Sequence, residues 1–135
     1  MILQVGVKVF LKNNEGKFLL IKRSLVKYPN VTDPWDIVGG RIEAGSSLLE
    51  NLRREVAEET GLEIISEPQL LAAQDIMPNP EKHIVRLTYV ADTEGTPSLD
   101  TSENTEYRWL SVAEIKRQEN LDKYAKEVLE RNLIR

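Results

Sequence analysis

Apolar residues recur at every second position near the start of the chain. Val5, Val7, Val9 and Leu11 fall on one side of residues 3–11, which is the period of a strand. Asn13-Asn14-Glu15-Gly16 is a turn signal, and Phe18–Ile21 reads as a second strand, so the two predict a hairpin. Residues 24–36, with Pro29 and Pro34, read as a loop that leads through Trp35-Asp36-Ile37-Val38 to Gly39-Gly40. The period then changes. Leu48, Leu49, Leu52 and Val56 are spaced for one face of a helix. Ser47 and Glu50 match a capping box at its start, and Gly61 supplies its stop. A strand region broken by Pro68 covers 62–77, and Pro78-Asn79-Pro80 reads as a loop. Ile84–Ala91 is a strand by its β-branched and apolar content. A polar loop covers 92–105, and Tyr107–Leu110 is a short strand. Ser111 and Glu114 begin a short helix. Leu121, Tyr124, Ala125, Val128 and Leu129 mark an amphipathic C-terminal helix. No internal repeat, linker or low-complexity tract interrupts the order. Strands interleaved with helices predict an α/β protein of two or three layers.

The helix after Ser47 carries the chemistry. With Leu52 as the zero direction, Leu48 lies near about −40°, Val56 near about +40° and Leu49 near about +60° at the ideal helix period. On the same wheel Glu59 falls near about −20°, Glu55 near about −60° and Glu58 near about −120°. Glu59 therefore points into the apolar stripe and Glu55 borders it. A solvated acidic face describes Glu58 but not Glu59. An unpaired buried carboxylate costs roughly several kcal/mol. A divalent cation shared by the three carboxylates would offset that cost, and Mg²⁺ is the usual partner of hard carboxylate and phosphate oxygens. Glu50 stands four residues before Arg54, a spacing that predicts an ion pair.

Composition narrows the field. The chain has 135 residues, 41% of them apolar and 30% charged, which suits one ordered domain over 1–135. A net charge of −4 argues against broad binding of a nucleic-acid backbone, though not against a small polyanion held by a metal and a few basic residues. The chain has no cysteine, which excludes disulfides, thiolate nucleophiles and Cys-ligated metals. His83 is the single histidine, so a multi-histidine site is excluded, and it reads as an ordinary exposed side chain. No apolar run approaches about 18 residues and no signal-peptide pattern opens the chain, so no membrane partner and a cytoplasmic location are expected.

From Gly40 to Leu62 the sequence resembles the Nudix hydrolase signature. That pattern sets a glycine, a glutamate, an Arg-Glu pair, an aliphatic residue, a Glu-Glu pair, a glycine and a final aliphatic residue at fixed gaps. Gly40, Arg54-Glu55, Val56, Glu58-Glu59, Gly61 and Leu62 match in register, and Ser46 stands where the family has Glu. Val38 replaces the proline that many relatives carry before the glycine pair. The resemblance implies a Nudix-type α/β/α sandwich, with a mixed sheet and a loop–helix–loop box. It implies that Glu55, Glu58 and Glu59 supply metal ligands or the base, with Arg54 orienting a glutamate of the box. The cofactor would be Mg²⁺, with Mn²⁺ as a substitute. Relatives often carry a further glutamate a few residues before the tryptophan of Tyr107-Arg108-Trp109. Glu103 is the first candidate for that ligand or base, and Glu106 competes with it. Many relatives are dimers, so a homodimer is one implied assembly.

Arg23 and Arg41 could each grip a phosphate through a planar fork, and Gly39-Gly40 let backbone approach one closely. Arg86 lies in mid-strand, with its direction set by register. Trp35 and Trp109 read as core, and Tyr28 as a weak stacking candidate. The resemblance implies Mg²⁺-dependent hydrolysis of a nucleoside diphosphate linked to another group. A (d)NTP cleaved to NMP and pyrophosphate ranks first. ADP-ribose comes next, since its hydrolases carry a proline beyond the box, in the region of Pro78. Dinucleoside polyphosphates stay open. Ser46 motivates a further reading, a catalytically weak nucleotide-binding sensor on the same fold.

Overall fold

The computed structural model describes residues 1–135. Its strands are β1 (Ile2–Lys12), β2 (Phe18–Arg23), β3 (Trp35–Asp36), β4 (Val38–Arg41), β5 (Gln69–Asn79), β6 (Lys82–Asp92) and β7 (Asn104–Leu110). Its helices are α1 (Leu48–Thr60), α2 (Val112–Lys116) and α3 (Lys123–Glu130). All seven strands join one sheet, in which β3-β2-β1-β6-β5 form the main path, β4 pairs with β1, and β7 pairs with β2. β1 runs parallel to β6 and antiparallel to β4, so the sheet is mixed.

Alternation along β1 sorts its side chains between two cores. Val7, Val9 and Leu11 face one side and meet Leu52 and Val56 of α1. Phe10 faces the other and joins Ile115 of α2 with Ala125, Val128 and Leu129 of α3. β2 divides likewise, Leu19 and Ile21 to the first core and Phe18 and Leu20 to the second. A strand covered on both faces must be apolar on both. The result is an α/β/α sandwich, as expected. Trp35 is buried in the second core and Trp109 packs against the first.

Several boundaries differ from the reading of the sequence. β1 and β2 follow the predicted turn but share only the Lys12–Phe18 pair, because β1 gives its edges to β4 and β6. The predicted loop over 24–36 ends in β3, and β4 follows directly. Strands this short show no period. β5 begins only at Gln69, after the break at Pro68, and runs through the expected loop as far as Asn79.

Helix α1 starts where Ser47 Oγ accepts the Glu50 N–H at 3.1 Å, and ends on Gly61 at φ 70°. Its buried face consists of Asn51, Leu52, Val56 and Thr60. Leu48 is exposed, in contrast to its place on the helical wheel, because it opens the first turn at the surface. The expected Glu50–Arg54 pair is replaced, since Arg54 turns to other carboxylates. No helix is long and apolar enough to cross a membrane.

Candidate functional site

The β4 strand and the face of α1 opposite it enclose a cleft of 420 Å³. Arg23, Tyr28, Gly39, Gly40, Arg41, Glu55, Glu58, Glu59, Asp100, Glu103 and Asn104 line it. Strands β2 and β4, helix α1 and the turn before β7 thus bring together Arg23, Gly39, Gly40, Arg41, Glu55, Glu58, Glu59 and Glu103. Arg54 does not line the cleft but pairs with Glu55 and Glu58, which do. A second lobe of 320 Å³ shares Arg23, Gly39, Gly40 and Arg41, and continues past Lys8, Arg86, Asp122 and Tyr124. The two arginines therefore stand where the lobes meet.

Glu59 is turned inward, as its angle on the wheel requires. Its Oε2 accepts the Gly39 N–H at 2.8 Å. Burial is the main cause that raises its carboxyl to about 7, and Glu55 and Asp36 add to it. Lys8 and the Gly39 N–H oppose the shift without cancelling it. Glu58 lies at the mouth and is exposed.

Arg54 acts as a clamp on the box. It lies 3.0 Å from Glu55, 3.3 Å from Glu43 and 3.7 Å from Glu58, and donates to Asn51 Oδ1 at 2.7 Å. The Glu55 hydrogen bond is the chief reason its guanidinium is held above the ordinary range. Ser46, the departure from the motif, is exposed and does not line the cleft. Glu43 gives Arg54 a carboxylate from the same loop. Asn51, which the sequence reading passed over, fixes that loop. Its side chain accepts the Glu43 N–H and donates to the Ser46 and Ser47 carbonyls. A buried asparagine between apolar helix positions was the available signal.

Gly39 and Gly40 are needed for different reasons. Gly39 has φ 144°, and a Cβ there would overlap the Val7 carbonyl oxygen and lie 2.7 Å from the Lys8 Cα. At Gly40 a Cβ would come within 2.6 Å of Glu55 Oε2. The backbone is thus bare where the carboxylates approach it.

Of the two late glutamates, Glu103 reaches the cleft, while Glu106 pairs with Lys22 at 3.3 Å and lies outside it. Glu103 is bound by Lys27 and by the Tyr28 hydroxyl at 2.7 Å. Lys27 first, then Tyr28, hold its carboxyl below the ordinary range. Tyr28 also lies beneath Arg23, whose guanidinium carbon is 5.7 Å from the ring centre. Arg41 donates to Gln4, and burial, then Arg23, lower its pKa.

The donor set suits a hard cation. The side chains that line the first lobe are rich in carboxylate oxygens, and Glu59 is half-buried with no ion pair of its own. No three acidic or histidine side chains are drawn together at ion-holding distance. Each is instead engaged locally: Glu55 and Glu58 by Arg54, Glu103 by Lys27 and Tyr28, and Glu59 by Gly39. Holding an ion would need the carboxylates to exchange these partners for it.

His83 sits beside Asp75 at 2.7 Å on β6, away from the cleft. Arg86, whose direction the sequence left open, is buried on the α3 side of the sheet. It pairs with Asp122 at 2.9 Å and Asp36 at 3.2 Å.

The fold and its box have known counterparts. A crystal structure of a MutT protein from Methanosarcina mazei Go1 superimposes with a TM-score of 0.80 at 28% identity, over 96% of this chain and 91% of that one. An uncharacterized Nudix hydrolase of Bacillus subtilis (strain 168), YvcI, is 34% identical over 85 residues, which cover 60% of this chain and 53% of that protein. A second protein of the same organism, named "Putative 8-oxo-dGTP diphosphatase", is 30% identical over 106 residues, or 78% of this chain and 65% of its own length. The chain thus spans between half and two thirds of these two relatives. The NUDIX domain model matches residues 2–131, and with the box placed on β4 and α1 around one acidic cleft, the chain belongs to the Nudix family.

Proposed function

We propose that residues 1–135 form one Nudix domain that hydrolyses a nucleoside diphosphate linked to another group, with Mg²⁺ as cofactor and Mn²⁺ as a substitute. The first substrate class is a (d)NTP, cleaved to NMP and pyrophosphate. The observation that carries this reading is Glu59: a carboxylate turned into the cleft, half-buried, and given only a backbone N–H. The likeness to a relative whose name specifies 8-oxo-dGTP supports the substrate class.

Glu55, Glu58, Glu59 and Glu103 would hold the ion. When bound, Mg²⁺ offsets charge on phosphate oxygens and lowers the pKa of water. The protein supplies the rest. Arg23 and Arg41, at the junction of the lobes, offer two guanidinium forks to the phosphate chain. Arg54 keeps Glu55 and Glu58 on the cleft side of α1. Glu103 is ionised at neutral pH and can take the proton from the attacking water, and Glu55 is the alternative base. Water attacks one phosphorus, the bond from that phosphorus to the bridging oxygen breaks, and the leaving phosphate departs in line.

Ser46 gives the sensor reading its motive, and its position outside the cleft together with the Glu43–Arg54 pair supports the hydrolase reading over it. The test is a panel of nucleotides with Mg²⁺, with products identified by mass. NMP and pyrophosphate from a (d)NTP are expected, with turnover falling at least about a hundredfold in Glu58→Gln or Glu59→Gln. Tight binding without turnover of any nucleotide would turn the reading to a sensor.

A further inference from the structure

Lys8 is the one charged residue inside the apolar stretch from Val5 to Leu11, and its side chain is only 11% exposed. Its ammonium has three protein acceptors: Asp36 Oδ2 at 3.1 Å, and the carbonyls of Ile37 and Gly39 at 3.3 Å each. An ammonium has three donors, so this set uses all of them. Lys8 borders the second lobe of the cleft, yet has no N–H left for a ligand.

What it holds matters. Lys8 and Gly39 are partners across the β1–β4 ladder. The peptide after Gly39 gives its carbonyl to Lys8, and the peptide before it gives its N–H to Glu59. Between the two lies the Gly39 φ of 144°, a backbone state that other residues rarely adopt. A glycine there can swing unless both flanking peptides are tied. Lys8 is itself fixed from behind. Asp36 is shared with Arg86 at 3.2 Å, and Arg86 reaches Asp122 at 2.9 Å, the residue that caps α3. Alternating charges thus run from the start of α3 through the sheet to the glycine that orients Glu59.

We propose that Lys8 is a positioning residue: it fixes the Gly39 backbone, and through it the direction of the Glu59 carboxylate into the cleft. The inference deepens the hydrolase reading of the cleft and rests on it, but two of its readouts need no substrate.

The test uses Lys8→Met and the double variant Lys8→Met/Asp36→Asn, in which neither member of the pair is left charged without the other. In Lys8→Met, amide hydrogen exchange at Gly39 should speed up at least about tenfold while amides in the middle of α1 keep their protection. Affinity for Mn²⁺ alone, followed by electron paramagnetic resonance, should fall about ten- to a hundredfold. On a nucleotide substrate kcat should fall in step, with KM within about twofold. The double variant should recover only the part of the stability lost by leaving Asp36 without Lys8, because Arg86 still loses Asp36, and it should recover none of these three losses.

Unchanged Gly39 exchange and Mn²⁺ affinity would overturn the proposal. So would a raised KM at constant kcat, which would make Lys8 a substrate contact, or full recovery in the double variant, which would make it only the counter-charge of Asp36. Should neither variant fold, the wild-type Lys8 ammonium decides by NMR. Slow proton exchange with water supports three protein acceptors, and a signal lost to fast exchange overturns them. If the wild type turns over no nucleotide, the hydrolase reading fails, while Gly39 exchange and Mn²⁺ affinity still decide the role of Lys8.

Discussion

Glu59 shows how far a single angle can be read. Its direction on the helical wheel aimed a carboxylate into the apolar stripe, and the structure turns it inward, half-buried, with a backbone N–H as its partner. The consequence is a trade of stability for readiness. Without metal, its folded pKa of about 7 lies above the ordinary 4.5, so the native state binds a proton more tightly than the unfolded chain. The contribution of this group is then fully favourable below about pH 4.5 and is lost as pH rises through 7, a swing of about 3 kcal/mol. Glu59→Gln keeps an acceptor for the Gly39 N–H and carries no charge. Urea unfolding in EDTA should show the wild type losing stability from pH 5 to pH 8 relative to Glu59→Gln, with the difference approaching that swing. Parallel profiles for the two proteins would mean that Glu59 is ionised at no cost, and the case for a cation in the cleft would lose its foundation. The same proton competes with Mg²⁺, so the Mg²⁺ concentration that half-activates the wild type should rise as pH falls below about 7, by up to tenfold per unit.

At the scale of elements, α1 was legible and β4 was not. A 13-residue helix shows its period, its Ser47 cap and its Gly61 stop in the sequence. Strands β3 and β4, with two and four residues, are too short for any period to emerge. Their place depends on β1, whose partners lie far along the chain. The Gly39-Gly40 pair marked the position of β4 without revealing that it was a strand. Its two glycines should respond differently to substitution. Gly39→Ala sets a Cβ against the backbone of Val7 and Lys8, which cannot yield, in a φ region unfavourable to alanine. A loss of about 3 kcal/mol or more in urea unfolding is expected. Gly40→Ala meets only the Glu55 carboxylate, the far end of a flexible side chain. Its stability should stay within about 1 kcal/mol of wild type. Turnover should nonetheless fall, because Glu55 is pushed off the strand. Equal stability losses in both variants would show that Glu55 is as rigid as backbone.

The molecule as a whole is organised around a sheet with α1 on one face and α2 and α3 on the other, and the apolar pattern marked the inward faces of α1 and α3 while leaving two or three layers open. It did not announce the charges that cross between elements. Asp36, Arg86 and Lys8 each look like a lone polar interruption of an apolar stretch, and their pairing joins positions tens of residues apart. The register of β1 against β6, with β3 set against β2, brings them together. Burial alone would raise the Asp36 carboxyl, but Arg86 and then Lys8 outweigh it and hold it at about 2. The linkage has the opposite sign to that of Glu59. Stability from Asp36 is present above about pH 4 and is lost as pH falls through 2, about 2 kcal/mol in all. Replacing Asp36 by Asn leaves Arg86 with Asp122 alone and Lys8 without a carboxylate, which should cost roughly 3–5 kcal/mol at pH 7. That penalty should shrink as pH falls below about 4, where the carboxyl of the unfolded wild-type chain takes up its proton. Urea unfolding of wild type and Asp36→Asn at pH 7 and pH 2.5 would read it directly. A gap that is undiminished at pH 2.5 would show that Asp36 acts through shape and hydrogen bonding, not charge. The buried row would then be a mechanical strut between α3 and the cleft, and its stability would not report the protonation of Asp36.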